Sequence, residues 1–223
     1  MNMPQQDNKN TRLLIALSAA DSSTRLQAAM AAGTHPEPGL IRALVERCAV
    51  EPDFFVRDML TWALLRHPED LTVPKLLTEL HSETPQARSQ ALHTVSKIGD
   101  RTLWPKVPKS LIHDSDDQVA RTAWRTAVVL VPPGHEAELA ADLSTELGRG
   151  DRDIQLSLSR ALIAFGDTVA PILQTAASSA NPRVRAHAQA TERLLEDPES
   201  EFILIADDAR RIVNGGSALQ DDL

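Results

Sequence analysis

A phrase of residues returns along this chain roughly every 30 to 35 positions, the period of a two-helix solenoid unit. Its clearest copy runs from Ala87 to Asp100, where Ala87, Ala91, Val95 and Ile98, with Leu92 beside them, fall on one helical face. Gly99 then ends the helix, because glycine tolerates the left-handed backbone of a C-cap. A second helix is expected from about Leu103 to Ile112, with Pro105 in its first turn, where the missing N–H costs nothing. Asp114-Ser115-Asp116 offers caps for the helix after it.

The other copies align on Arg88. Arg25, Arg57, Ala120, Gln155 and Arg185 take its place, followed at helical spacing by Ala28, Ala29 and Ala32, by Leu60, Ala63 and Leu64, by Ala123, Trp124 and Ala127, by Leu158 and Leu162, and by Ala188 and Leu195. Phe165-Gly166-Asp167 with Pro171 repeats the Gly-Asp punctuation, and His67-Pro68 with Pro74 stands in for it in an earlier copy. Each helix pair can bury only one face by itself, so neighbours complete the core. The fold expected is all-α: a right-handed superhelix of about five or six helix pairs.

The ends need covering. Residues 1–10 are polar and expected to be disordered, and 11–197 to form the solenoid. Thr11 to Ala20 can form an amphipathic capping helix through Leu13, Leu14 and Leu17. Phe202, Ile205, Ala206, Ala209 and Ile212 have helical spacing, so 198–213 is expected to cap the last repeat and 214–223 to be a flexible acidic tail.

Lys97-Ile98-Gly99-Asp100, Pro105, Leu111, Asp114, Asp116 and Val119 resemble HEAT repeats of the phycobilisome-lyase type, and Phe165-Gly166-Asp167, Pro171, Asn181-Pro182 and Val184-Arg185 resemble them again. The resemblance spans about residues 20 to 197 and implies an armadillo-like helical array. It implies little about function, because such repeats serve many roles. The copies depart from the pattern at Arg42 and at Val131-Pro132-Pro133-Gly134, the second an inserted, stiffer loop inside the fourth repeat.

Composition narrows the classes. Aromatics are 3%, with no tyrosine, which suits closely packed helices and argues against a β-sandwich or barrel. A net charge of −8 works against non-specific attraction to nucleic acid or anionic lipid. Cys48 is the single cysteine, so no disulfide within the chain and no cysteine cage for a metal can form. With no long apolar run and no leader pattern at the N-terminus, a reducing cytoplasm is the expected compartment, with no membrane.

No phosphate loop, nucleophile elbow, His-Glu-x-x-His or Cys-x-x-Cys pattern is present, so neither catalysis nor a cofactor or metal is expected. The seven histidines are scattered and read as solvent-exposed, and Cys48 reads as a small buried hydrophobe. Arg25, Arg57, Arg88 and Arg185 are expected to bind acidic residues of the preceding turn, as a ladder of salt bridges between repeats. Trp62 and Trp124 read as packing residues, and Trp104 as partly exposed.

The candidate binding surface is the second-helix, concave side. Arg42, Arg47, Lys75, Lys106, Lys109 and His113 make its N-terminal part basic, with Glu46 and Glu79 interspersed and Trp104 alongside. Glu138, Asp142 and Glu146, with Glu136, make the fourth repeat acidic, and a charged segment would read such a dipolar groove in one orientation. The expected function is a non-catalytic scaffold for a protein or peptide partner, acting as a monomer or weak homodimer. The alternatives are a nucleic-acid enzyme similar to HEAT-like DNA glycosylases, disfavoured by charge, and a tetrapyrrole-handling protein like the bilin lyases, which would want an apolar pocket with aromatic walls.

Overall fold

Each helix of the expected phrase begins at a fixed distance before the recurrent arginine position. The computed structural model describes residues 3–197, side chains from Lys9 onward. Asp21, Asp53, Asp116, Asp151 and Asn181 each stand four residues before that position and accept backbone N–H groups of the first turn. A carboxylate or amide there satisfies donors that have no partner inside the helix. At Thr84 no side chain caps; Pro85, in the first helical position, has no N–H to satisfy.

The chain divides into two compact units, Met1–Leu130 and Val131–Leu223. In the first, α1 (Met3–Leu17) packs on α2 (Ser22–Thr34) and α3 (Ile41–Cys48), which is entered through a short 3-10 turn, Pro38–Leu40. Then follow α4 (Phe54–Leu64), α5 (Glu69–Glu79), α6 (Pro85–Ile98) and α7 (Asp117–Leu130). First helices stack on first helices, α2 on α4, α4 on α6 and α6 on α7, while the second helices α3 and α5 stack on each other. In the second unit α8 (Glu136–Ser144) packs on α9 (Arg152–Ile163) and α10 (Ala170–Ala176), and α11 (Pro182–Glu196) covers α9 and α10. This is the helix-pair organisation of an α–α solenoid, and no strand occurs among the described residues.

The core is built of small and aliphatic side chains, with Trp124 the one large aromatic fully inside among the described residues. Its indole N–H donates to the Ile112 carbonyl at 2.9 Å, which satisfies the polar edge that burial would otherwise strand. The expected left-handed C-cap is present at Gly99, whose φ is +70° and whose N–H donates to the Val95 carbonyl. Gly33 has a different reason to be glycine: a Cβ there would stand 2.3 Å from the Trp62 ring and 2.9 Å from the Ala63 Cα.

Several expectations are corrected. Residues 3–10, expected to be disordered, belong to α1, and of the three leucines expected to anchor that helix only Leu17 is fully buried. The second helix expected over 103–112 is replaced by two 3-10 segments, Arg101–Lys106 and Lys109–His113. Pro105 and Pro108 each remove a donor, and Val107, forced extended by the proline after it, breaks the segment in two. The cap expected at 198–213 and the tail at 214–223 lie outside the described residues.

Candidate binding surface

Burial sorts the charged residues expected on the second helices into two kinds. Arg42, Lys75 and Glu79 come together with Val45, Glu46 and Thr78 around a shallow cleft of about 280 Å³ between α3 and α5. Arg42 Nε donates to Glu46 Oε1 at 2.7 Å, but the two side chains are 79% and 58% exposed. Such an exposed pair adds little to stability and exchanges readily for a partner's charge. Lys75 makes no hydrogen bond or ion pair among the described residues, and buried Val45 floors the cleft. The cleft can therefore offer one uncommitted cation, one loosely held ion pair, a carboxylate and an apolar floor.

Arg47 is not part of this surface. It turns inward to the Glu51 carboxylate at 2.7 Å, alongside Arg25, whose Nε and Nη2 reach the two oxygens at 2.7 Å each. Glu51 is fully buried. Burial pushes its proton affinity up, but the bonds from Arg25, the Asp53 N–H and Arg47 outweigh that and hold its pKa down at about 2. Arg47 is thus a structural cation, fixed because a buried carboxylate needs all its donors.

The recurrent arginines follow one rule, and it differs from the expected one. The Nη1 groups of Arg25, Arg57, Arg88 and Arg185 each donate to the two carbonyls five and six residues behind, at the end of the preceding turn. Gln155 makes a looser version of the same contact with Gly148 and Gly150. The acidic partners lie ahead rather than behind: Arg25 pairs with Glu51 and Arg88 with Asp114, each 26 residues on. Backward reach is taken by backbone carbonyls, which helix termini leave without partners, so the carboxylate comes from the next turn.

The remaining candidates are scattered. Trp104 is half-buried in a 3-10 turn, with Lys106, Lys109 and His113 exposed on the same broken segment. Glu138 lies 3.5 Å from His135, and Glu146 is largely covered and bound to Arg149 at 2.9 Å. With Asp142 they belong to the second unit, where Glu146 offers little free charge. Trp62 is more exposed than expected, its ring under the Arg66 guanidinium at 5.5 Å. Phe54 and Phe55, 66% and 71% exposed at the start of α4, had no signal in the pattern beyond lying outside the helical face.

Two histidines expected at the surface are buried. His67 Nδ1 lies 2.8 Å from the Ala63 carbonyl, and His187 is wholly enclosed in the second unit. Gly148 N–H donates to His187 Nδ1, so the ring proton sits on Nε2 and is given to the Gln155 carbonyl, with Ser159 Oγ at 3.0 Å. Thr191 Oγ1 gives its proton to the His187 carbonyl, leaving Ser159 to donate to Thr191. A serine beside a histidine invites a nucleophilic reading, but a general base needs an unprotonated nitrogen facing the hydroxyl. Here that nitrogen is a donor, and both side chains are sealed from solvent. Burial pushes the His187 pKa down to about 4 despite the Gln155 carbonyl, so the ring stays neutral. Cys48 is equally inert, its thiol pushed up to about 12 by burial.

Among the described residues no three His, Cys, Asp or Glu side chains converge as a metal would require, and no single helix is long and apolar enough to cross a membrane. No family model matches the sequence, and no curated protein does. Among solved structures, one engineered protein from a structural genomics consortium aligns over 88% of this chain and 99% of its own, at 16% identity and a TM-score of 0.45. A second engineered protein aligns over 88% and 97%, at 17% identity and 0.44. A designed armadillo repeat protein aligns over 82% and 98%, at 14% identity and 0.41. At these low scores the likenesses carry nothing about what the chain binds.

Proposed function

We propose that this chain is a non-catalytic scaffold of HEAT-type repeats that binds a protein or peptide segment through the second-helix surface of its first unit. The observation that carries the reading is the cleft between α3 and α5, where Lys75 is uncommitted and the Arg42–Glu46 pair is open to exchange above an apolar floor. Lys75 and Glu79 sit one turn apart on α5, so a segment with an acidic residue followed by a basic one would meet complementary charge in one direction only. The protein acts in a reducing, cytoplasmic setting as a monomer or weak homodimer.

Selection from a displayed peptide library tests this. The wild type is expected to enrich peptides that pair an acidic with a basic residue, and the Lys75→Glu/Glu79→Lys exchange is expected to reverse their order. Enrichment indifferent to the exchange, or none at all, would sink the proposal.

A further inference from the structure

The first helices carry a second charged surface, separate from the cleft on α3 and α5. Ser89 Oγ lies 2.9 Å from Thr122 Oγ1, and Thr126 Oγ1 donates to the Leu92 carbonyl at 3.1 Å, so α6 and α7 run side by side in one direction. That register sets His93 against Arg125. Lys97 stands one turn beyond His93 on α6, and Arg121 one turn before Arg125 on α7. Residues four apart share a helix face, which makes a row of basic groups across both helices.

None of these four side chains makes a hydrogen bond or ion pair among the described residues. The Nε of Arg121 is buried with no partner, which native structures seldom leave uncompensated. Burial, then the charges of Lys97 and Arg125, lowers the proton affinity of His93; Asp58 on α4 is the one carboxylate acting the other way. Burial, then the charge of Arg121, does the same to Arg125. Even in a chain of net charge −8 like charges thus meet here, Lys97 and Arg125 around His93 and Arg121 beside Arg125, with Asp58 the one carboxylate acting against them.

We infer that this face of α6 and α7 is a second docking surface, for an acidic, carboxylate-rich segment of a partner protein. The cations are laid out along the helices over more than a turn instead of converging on one point. A row of carboxylates matches that layout better than a single phosphate. Binding sets carboxylates against Arg121, Arg125 and Lys97, gives the buried Nε a partner, and offsets the repulsion that, after burial, lowers the proton affinity of His93.

The test is titration of the full chain with a fluorescent oligoglutamate peptide. Arg121→Gln/Arg125→Gln is compared with Arg12→Gln/Arg101→Gln, which removes the same charge elsewhere in the first unit. Affinity is expected to fall roughly tenfold in the first variant and to hold in the second. Saturation is expected to raise the pKa of His93, read by NMR. If the double variant fails to fold, Lys97→Gln is expected to weaken binding in its place. No binding to the wild type, equal loss in both variants, a His93 indifferent to the peptide, or tighter binding of inorganic phosphate or single-stranded DNA each overturns the inference.

Discussion

Replacing Glu51 by glutamine tests how the first two repeats are joined. The carboxylate accepts four hydrogen bonds: two from Arg25, one from Arg47 and one from the Asp53 N–H. A glutamine oxygen can keep two of them, while its NH₂ confronts N–H donors that it cannot accept. Two bonds to charged groups at about 1.5–3 kcal/mol each, lost inside the protein, put the cost at about 3–6 kcal/mol, which covers the roughly 3–5 kcal/mol for breaking a buried ion pair. Glu46→Gln removes the same charge from an exposed pair and is expected to cost about 0–1 kcal/mol. Urea unfolding followed by circular dichroism measures both as shifts in midpoint at unchanged slope. The gap has a pH signature. Glu51 has a folded pKa of about 2 against an ordinary 4.5, so its contribution is complete above 4.5 and is lost as pH falls towards 2. The difference between wild type and Glu51→Gln is therefore expected to narrow over that window. A Glu51→Gln variant within about 1 kcal/mol of Glu46→Gln at neutral pH, or a gap that ignores acid, would refute the reasoning.

Other perturbations probe separate places. His187 is held neutral with a folded pKa of about 4 against 6.5, so the second unit is fully stabilised above 6.5 and loses on the order of 3 kcal/mol as pH falls towards 4. His187→Gln is expected to flatten that window in thermal melts. Gly33→Ala meets the Trp62 ring and the Ala63 backbone, so a loss of about 1–3 kcal/mol is expected, partly recovered when Trp62 is cut to alanine. Cys48 is expected to resist a thiol reagent at neutral pH, with labelling that keeps pace with unfolding; fast labelling of the native protein would contradict its burial.

The recurrence of the phrase around positions 25, 57, 88, 120, 155 and 185 was enough to place the first helices, because hydrophobic spacing and helix caps are local properties. The second side of the third repeat was less legible. Pro105 reads as a tolerated first-turn proline, and only with Pro108 three residues on does it break the helix. The inward turn of Arg47 had no signal, since the choice between solvent and Glu51 depends on where Arg25 sits in three dimensions. A spacing of 26 residues between arginine and acid was present in the sequence at 25/51 and 88/114, but it is not a rule. Arg57 and Glu83 have the same spacing, yet Arg57 lies over the Phe54 ring, 6.0 Å away, and makes no ion pair with that glutamate. Of the candidate site, Arg42, Lys75 and Glu79 were legible as a group because neighbouring second helices share register, whereas Trp104, Lys106 and Lys109 fell on the segment whose geometry the prolines changed.

An arginine that holds the turn behind it and a carboxylate in the turn ahead also acts as a ruler. At Arg25 and Arg88 the side chain spans the whole distance between consecutive turns, so a residue gained or lost between them would pull the carboxylate out of reach. Position 120 carries alanine, and nothing measures that distance there. That is also where the chain departs furthest from its own period, through the Val131–Gly134 loop. Insertions placed between 25 and 51 or between 88 and 114 are thus expected to be poorly tolerated, and those near Gly134 to be absorbed.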